Sequence, residues 1–314
     1  MFESRVQDAW DDYKNDLALG RILIWLTCYN LFLFFLSSLF FHTIKILALF
    51  PVFVAFFFFF FRPKIIKIKK YYLFCFNIFL IALCIVLNYY LVGEIDKNNG
   101  LLPRRDALLS SFDLYLFGNP VSLFFESLAS SAGLLGSLFY DFMILAYISY
   151  YILPIYGAYL YFRVLKENES YKIGRFFFSV LLYFAINFIF YLLVPVTGPQ
   201  YWLTDFYTTN LPFTDFGKLL YETVQTGQTT FIDCFPSGHT GVAFLTTIWL
   251  YRVQHPQKYF ILMTTVLIVF ATLAMRYHYT LDLLCALPLA YICHRLAWVF
   301  IPVEIKRWSA PNHT

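Results

Sequence analysis

Residues 176–196 read FFFSVLLYFAINFIFYLLVPV and contain no charged side chain. A helix needs about 20 apolar residues to cross the hydrocarbon core of a bilayer, so this stretch predicts a transmembrane helix. The rest of the chain has a similar character, because 60% of its 314 residues are hydrophobic and 13% are charged. Soluble proteins are about 45–50% apolar and about 25% charged. The composition therefore excludes a soluble globular protein and predicts a polytopic membrane protein.

Further apolar stretches along the chain predict about eight transmembrane helices in all. Besides 176–196 they are 22–42, 44–61, 71–93, 134–162, 236–251, 259–275 and 282–302, of which 236–251 is the shortest. We therefore predict an all-α integral membrane bundle. Its parts are an N-terminal cytoplasmic or interfacial segment at 1–21, three N-terminal transmembrane helices within 22–93, a membrane domain with the reactive residues at 94–302 and a C-terminal tail at 303–314.

The distribution of lysine and arginine between the connecting loops predicts the orientation of this bundle. With eight spans, one side receives sixteen of these residues and the other side receives six. Cytoplasmic loops carry the excess of positive charge, so we expect both termini in the cytoplasm. The acidic N-terminal segment and the first span lack the features of a cleaved signal peptide. The connections 94–133, 197–235 and 276–281 are then exoplasmic, and the apolar part of 94–133 predicts one or two helices on the membrane surface.

The six cysteines predict no disulfide framework. The sequence contains no CxxC spacing, and Cys28, Cys75, Cys84, Cys285 and Cys293 lie inside apolar stretches. Cysteines in such stretches are typical small core residues. Cys234 alone lies in a polar connection, without an evident partner outside the membrane.

The first reactive segment is CFPSGHTG at 234–241, directly before the sixth predicted span. Proline and serine are favourable residues at a helix start, and Gly238 lets the backbone approach a ligand closely. The unpaired amides of a helix N-terminus form an anion site. His239 would then lie in the first turn beside a bound phosphate. A histidine at this position is also commonly a simple polar cap.

The second reactive segment is RYHYTLD at 276–282, between the seventh and eighth predicted spans. His278 and Asp282 are four residues apart and share one face of a helix. A carboxylate there can bind one imidazole nitrogen and leave the other available for attack. Arg276 precedes His278 by two residues, so in an extended lead-in both side chains would point the same way. Arginine is suited to bidentate recognition of phosphate.

Together the two segments place two histidines, an aspartate, an arginine and a helix N-terminus on one face of the membrane. This set suits phosphoryl transfer, which needs a nucleophile, a general acid, an orienting carboxylate and cations. Two alternatives remain open at this point. The side chains could form structural hydrogen bonds at helix ends, or His239, His278 and Asp282 could bind a metal such as zinc.

These residues resemble the type 2 phosphatidic acid phosphatase superfamily. Residues 236–239 match its PSGH motif, and His278 with Asp282 matches the HxxxD of its last motif. The resemblance implies a helical membrane bundle that uses neither a metal nor another cofactor. It implies that His278 forms a phosphohistidine, that Asp282 orients it and that His239 is the general acid.

We also predict the residues that bind the phosphate and the partners of the protein. Ser237, Gly238 and Arg276 are the candidate phosphate-binding residues. The expected partners are the bilayer, a phospholipid and a lipid alcohol, with no nucleic acid. The sequence indicates no particular protein partner. The site is expected on the exoplasmic face of a plasma, inner or internal membrane.

The sequence departs from the ordinary lipid phosphatases in ways that bear on the substrate. No KxxxxxxRP string precedes His239, and Thr272 stands where those enzymes have an arginine six residues before the nucleophile. A phosphomonoester dianion needs more positive charge than a phosphodiester monoanion. The loss of these cations favours diester chemistry.

A narrower resemblance is to the inositol phosphorylceramide synthase and sphingomyelin synthase branch. The string HYTLD at 278–282 is similar to the HYTxD of the sphingomyelin synthases, and the segments 113–118 and 195–202 resemble those of the inositol phosphorylceramide synthases. This resemblance covers roughly 108–300. The same two segments could serve either as turns or as parts of a substrate pocket.

These observations lead to one main functional hypothesis and two alternatives. In the main hypothesis the protein moves a phospho-headgroup, such as phosphoinositol, from a phospholipid to a lipid alcohol such as ceramide. The first alternative uses the same histidines with water as acceptor, as a phosphatase of phosphatidate or a polyprenyl pyrophosphate. The second is a non-enzymatic transporter or scramblase. Transporters place polar residues near the membrane midplane, whereas here they cluster at one interface.

Overall fold

The computed structural model describes Tyr29 and residues 70–97, 102–164, 173–207 and 210–301. Its helices are α1 (Lys70–Lys97), α2 (Asp106–Phe117), α3 (Val121–Ser130), α4 (Leu134–Val164), α5 (Ile173–Leu193), α6 (Pro199–Trp202), α7 (Asp215–Gly227), α8 (Gly238–Arg252), α9 (Lys258–Ala274) and α10 (Thr280–Phe300). A single turn of 3-10 helix follows α6. Within the described ranges the only extended pairing is one bridge between Val196 and Asp233. The predicted all-α class is confirmed.

Three helices are long and apolar enough to cross a membrane, namely α4, α5 and α10. They coincide with the spans predicted at 134–162, 176–196 and 282–302. The pair α2 and α3 would be a fourth span if its 61° bend is a break within one crossing. Helices α1, α8 and α9 coincide with the spans predicted at 71–93, 236–251 and 259–275. The spans predicted at 22–42 and 44–61 lie outside the described residues, apart from Tyr29, so eight spans and the orientation of the termini stay predictions.

The bend between α2 and α3 follows from the local sequence. Helix α2 ends at Phe117 and is capped by Gly118, whose backbone is left-handed with a φ of 73°. The backbone amide of Gly118 donates to the carbonyl of Leu114. Glycine accepts this conformation without steric cost, and Pro120 precedes the start of α3. The prediction of one or two helices in this connection is confirmed as two. Their position relative to the membrane surface stays a prediction.

Helix α8 is central to the described part of the bundle. It packs against α4, α5, α9 and α10, and Val242, Leu245 and Trp249 on it are fully buried. A Cβ atom added at Gly241 would lie 1.9 Å from the hydroxyl of Tyr183 on α5. Only glycine therefore fits at this crossing. The close packing fixes the start of α8, where the first reactive segment lies.

Candidate active site

The turn before α8 is held by side chains of α5. Ser237 caps the helix, since its Oγ accepts from the amide of Thr240 at 3.2 Å. The carbonyl of Ser237 accepts from the hydroxyl of Tyr183 at 2.8 Å. The side-chain Nδ2 of Asn187 donates to the backbone carbonyl of Pro236 at 2.6 Å. The predicted helix start is thus confirmed, and its backbone is tied to the neighbouring helix.

His278 and Asp282 form the predicted pair at the start of α10, but His278 precedes this helix, which begins at Thr280, so the predicted shared helix face is wrong. Asp282 Oδ2 accepts from His278 Nδ1 at 2.9 Å and from the amide of Tyr279 at 3.0 Å. His278 is 4% exposed and Asp282 is fully buried. With Nδ1 donating to the carboxylate, Nε2 presents its lone pair. That atom faces Ser237 Oγ at 3.3 Å, so the two predicted reactive segments meet at this nitrogen.

His239 lies beside this pair, in the first turn of α8. Its ring centroid is 5.7 Å from that of His278. It packs between Tyr147 at 4.5 Å and Tyr150 at 4.2 Å, both on α4. Its Nε2 is buried and has no hydrogen-bond partner among the described residues. A buried polar atom without a partner is rare and often has a functional reason, and the role of His239 as a general acid stays a prediction.

Arg276 is placed differently from the prediction. Its φ of 63° lies in the left-handed region, so the predicted extended lead-in to His278 is wrong. The guanidinium lies against α3, where its Nη2 is 2.6 Å from Glu126 Oε2. Its Cζ lies 4.0 Å from the ring centroid of Tyr207. Arg276 is thus paired with a carboxylate on α3, and its role in phosphate binding stays a prediction.

Cys234 is a site residue that the sequence reasoning missed. Its Sγ donates to Asp282 Oδ2 at 2.7 Å and lies 3.6 Å from His278 Nδ1. Burial, together with the charge of Asp282, raises the pKa of this thiol well above its usual value. The thiol is therefore protonated and is a third donor to the orienting carboxylate. Its place two residues before the PSGH string was the available signal, but only the fold brings it to Asp282.

The predicted metal alternative is not the set that the structure assembles. Among the described residues, the ligand atoms that lie within 4.8 Å of one another belong to Cys234, His278 and Asp282, and His239 is not in the group. Metal ligands must lose their protons, and the raised pKa of Cys234 opposes this loss. Binding a metal would also break the hydrogen bonds that orient His278. The donor set fits an oriented nucleophile better than a metal centre.

The segment 195–202 supports the turn that precedes His278. Gly198 has a φ of 93°, and a Cβ atom there would lie 2.6 Å from the carbonyl oxygen of Tyr277. The amide of Gln200 donates to the carbonyl of Arg276 at 2.8 Å. The positive φ and the close approach to Tyr277 require glycine at position 198 for structural reasons. A contribution of the segment to a substrate pocket stays a prediction.

Two buried aspartates of α2 tie that helix to the same turn. Asp106 accepts from the amide of Gly198 at 2.9 Å and from the hydroxyl of Tyr279 at 3.2 Å. Asp113 accepts from the amide of Thr280 at 3.1 Å and so caps the first turn of α10. A carboxylate at a helix N-terminus also interacts favourably with the helix dipole. The segment 113–118, predicted as a turn or a pocket, thus has a structural role at the base of α10.

Comparison with known proteins agrees with this geometry. A sequence profile of the PAP2 superfamily matches residues 120–296. A PA-phosphatase related-family protein of Dictyostelium discoideum is 25% identical over 193 residues, which are 55% of this chain and 34% of that protein. The chain thus spans about a third of the length of this curated relative. No solved structure matches the chain.

The region matched by the superfamily profile contains α8, most of α10 and both histidine segments. It covers more than half of the chain. The match and the apolar helices indicate an integral membrane protein. Because the match covers more than half of the chain and includes His239, His278 and Asp282, this chain belongs to the PAP2 superfamily.

Proposed function

We propose that this protein is a lipid headgroup transferase of the inositol phosphorylceramide synthase and sphingomyelin synthase type. It moves a phospho-headgroup, such as phosphoinositol, from a phospholipid to a lipid alcohol such as ceramide. The proposal rests first on one observation, the orientation of His278. Asp282 holds Nδ1 of this residue at 2.9 Å, so that Nε2 faces the first turn of α8. Membership of the superfamily supports phosphoryl chemistry at this nitrogen.

The first half of the reaction forms a covalent intermediate. Nε2 of His278 attacks the phosphorus of the donor lipid, and the bond from phosphorus to the diacylglycerol oxygen breaks. His239 donates its proton to that departing oxygen, which leaves as diacylglycerol. The headgroup phosphate remains on His278, and Asp282 stabilises the ring through Nδ1.

The second half of the reaction reverses these roles. The hydroxyl of the lipid alcohol gives its proton to His239 as its oxygen attacks the phosphorus. The bond from phosphorus to Nε2 breaks, and His278 is restored. The product is a new phosphodiester, and the two substrates react in ping-pong order. Ser237, Gly238 and Arg276 are proposed to bind the phosphate oxygens during both halves.

The charges around the site support a phosphodiester as the donor. Glu126 pairs with Arg276, while Asp106, Asp113 and Asp282 are buried nearby. A phosphomonoester dianion would need more cations to offset its charge in this low-dielectric setting. A phosphodiester monoanion needs fewer, and the helix N-terminus at Gly238 supplies partial positive charge to it.

The surroundings of His239 support a lipid rather than water as the acceptor. The ring packs between Tyr147 and Tyr150 on α4, and its Nε2 is buried. Exclusion of water protects a reactive intermediate from hydrolysis. A lipid alcohol that enters from the bilayer can reach such a nitrogen through apolar surroundings. We propose that this site opens to the exoplasmic leaflet.

A phosphatase is the second candidate, since the relative in Dictyostelium is named a PA-phosphatase related-family protein. Product analysis separates the two candidates. Purified protein is incubated in mixed micelles with headgroup-labelled phosphatidylinositol, with and without ceramide, and separately with phosphatidate. Labelled sphingolipid that forms only with ceramide, and not with His278→Ala protein, supports the transferase. Inorganic phosphate from phosphatidate, without any headgroup transfer, would instead establish the phosphatase.

A further inference from the structure

A cavity lies at the end of α8 that is opposite the histidines. Helix α8 has 15 residues and is therefore about 22 Å long at about 1.5 Å per residue. The histidine site is at its first turn, and the cavity surrounds its last turn. The cavity has a volume of about 540 Å³ and lies between α8, α9 and α10. The length of α8 separates this cavity from the histidine site.

The polar lining of this cavity is cationic. Arg252 and Arg295 both line it, and both are exposed. Neither forms an ion pair with a carboxylate in the ranges that the structure describes. The guanidinium of Arg252 stacks on Trp298, with Cζ 3.9 Å from the ring centroid. This stacking holds one planar donor group in place at the rim, in a form suited to a phosphate.

His294 adds a buried polar atom to the same lining. The residue is 3% exposed and lines the cavity, with its ring 4.5 Å from that of Trp249. Its Nδ1 has no hydrogen-bond partner within the described part of the chain. Because that nitrogen is shielded by protein, the ring of His294 forms part of the wall beside the two arginines and is not assigned a bond to a ligand.

The remaining lining combines apolar side chains with the polar Thr247, Tyr251 and Gln254. Phe244, Ile248 and Leu262 line it, and Tyr291 at its edge is 52% exposed on the outer surface of α10. A ligand that fits this surface has an anionic head and an apolar body. Basic pockets between membrane helices bind the headgroups of anionic lipids in this way. A free phosphate would leave the apolar walls without a partner.

We propose that this cavity binds the phosphate-containing headgroup of an anionic phospholipid. Arg252 and Arg295 bind the phosphate, and the start of an acyl chain lies along Phe244 and Ile248. The lipid is bound and not turned over, because the two reactive histidines are at the other end of α8. This inference does not depend on which reaction those histidines perform.

The test is a lipid titration of the full chain in detergent, followed by native mass spectrometry. The probes are phosphatidylglycerol, phosphatidylcholine with the same acyl chains, and soluble glycerol phosphate. The test protein is the double variant Arg252→Gln/Arg295→Gln. The control is Arg163→Gln, which removes an exposed arginine at the end of α4 outside the cavity lining. Binding at the histidine site is common to all variants, so the difference reports on the cavity.

We expect the double variant to bind phosphatidylglycerol at least about tenfold more weakly, because each charge-assisted bond to phosphate contributes roughly that factor. The Arg163→Gln protein should bind as the wild type does. Because loss of the stacking on Trp298 could disturb folding, a second variant, Ile248→Trp, fills the cavity and keeps both charges, and it should lose the same binding. Equal binding by all variants would overturn the proposal. It would also be overturned by equal affinity for phosphatidylcholine, or by glycerol phosphate binding as tightly as the lipid.

Discussion

At the scale of single residues, the carboxylate of Asp282 is the group that holds the ring of His278 in place. Its Oδ2 accepts from His278, Cys234 and the amide of Tyr279 at 2.9, 2.7 and 3.0 Å. Donors that share one oxygen fix its position, and thereby the plane of the imidazole. The thiol is therefore a positioning residue in this account, because it acts on His278 through Asp282.

Replacement of Cys234 by alanine should lower kcat by about tenfold and leave KM nearly unchanged. The reason is the loss of a hydrogen bond to a charged group, which contributes about 1.5 kcal/mol or about tenfold in rate. Cys234→Ser provides a hydroxyl donor at the same position and should restore most of the rate. Steady-state kinetics of both variants make the comparison. Equal activity of the alanine and serine proteins would refute the positioning role.

Replacement of His239 by alanine should slow the reaction of a lipid donor by about 10²- to 10⁴-fold, the usual contribution of a general acid. The reason is that diacylglycerol is a poor leaving group without a proton. A nitrophenyl phosphodiester releases a good leaving group, so its initial release of nitrophenol should fall much less. The ratio of the two rates is the measurement. A loss of equal size with both substrates would point to a structural role for this histidine.

At the scale of elements, the turn before α10 depends on the close approach of the 195–202 segment. Gly198→Ala should destabilise the fold by more than about 2 kcal/mol, because the new Cβ would lie 2.6 Å from the Tyr277 carbonyl and alanine resists the left-handed backbone. Gly118→Ala is the matched control, since its φ is also positive but no atom lies within 4 Å of the added Cβ. It should cost only about 1–2 kcal/mol. Denaturant unfolding in detergent and the transfer rate should both rank the variants in this order.

The starts of α8 and α10 can be predicted from the sequence, because the residues that define each start are close together in the chain. Proline and serine mark the start of α8, and the spacing of His278 and Asp282 marks the start of α10, so both starts were predicted within two residues. The position of the Arg276 side chain cannot be predicted from the sequence, because its partner, Glu126, is 150 residues away. Only the packing of α3 brings the two side chains together. Cys234 was missed for the same reason, since 48 residues separate it from Asp282. Hydropathy patterns show that helices are buried, but they do not show which side chains of different helices meet.

At the scale of the whole molecule, the distribution of charges predicts a sided protein. The loops assigned to the cytoplasm have sixteen lysines and arginines against six on the other side. Epitope tags at the two termini should bind antibody only after cells are permeabilised. A tag inserted after Gly227, at the exposed end of α7, should bind antibody on intact cells if the protein is in the plasma membrane, and in an internal membrane only after that membrane itself is opened. A terminus accessible from the same side as Gly227 would contradict the eight-span topology.

The proposed headgroup transfer depends on a covalent intermediate at His278. The most direct measurement is a rapid quench of purified protein with phosphatidylinositol labelled in its phosphate, followed by peptide mapping. Label should appear on the peptide that contains His278, be stable to base and labile to acid, and be discharged when ceramide is added. The His278→Ala protein should acquire none. An unlabelled wild-type protein that still turns over, or label that persists in His278→Ala, would contradict the account.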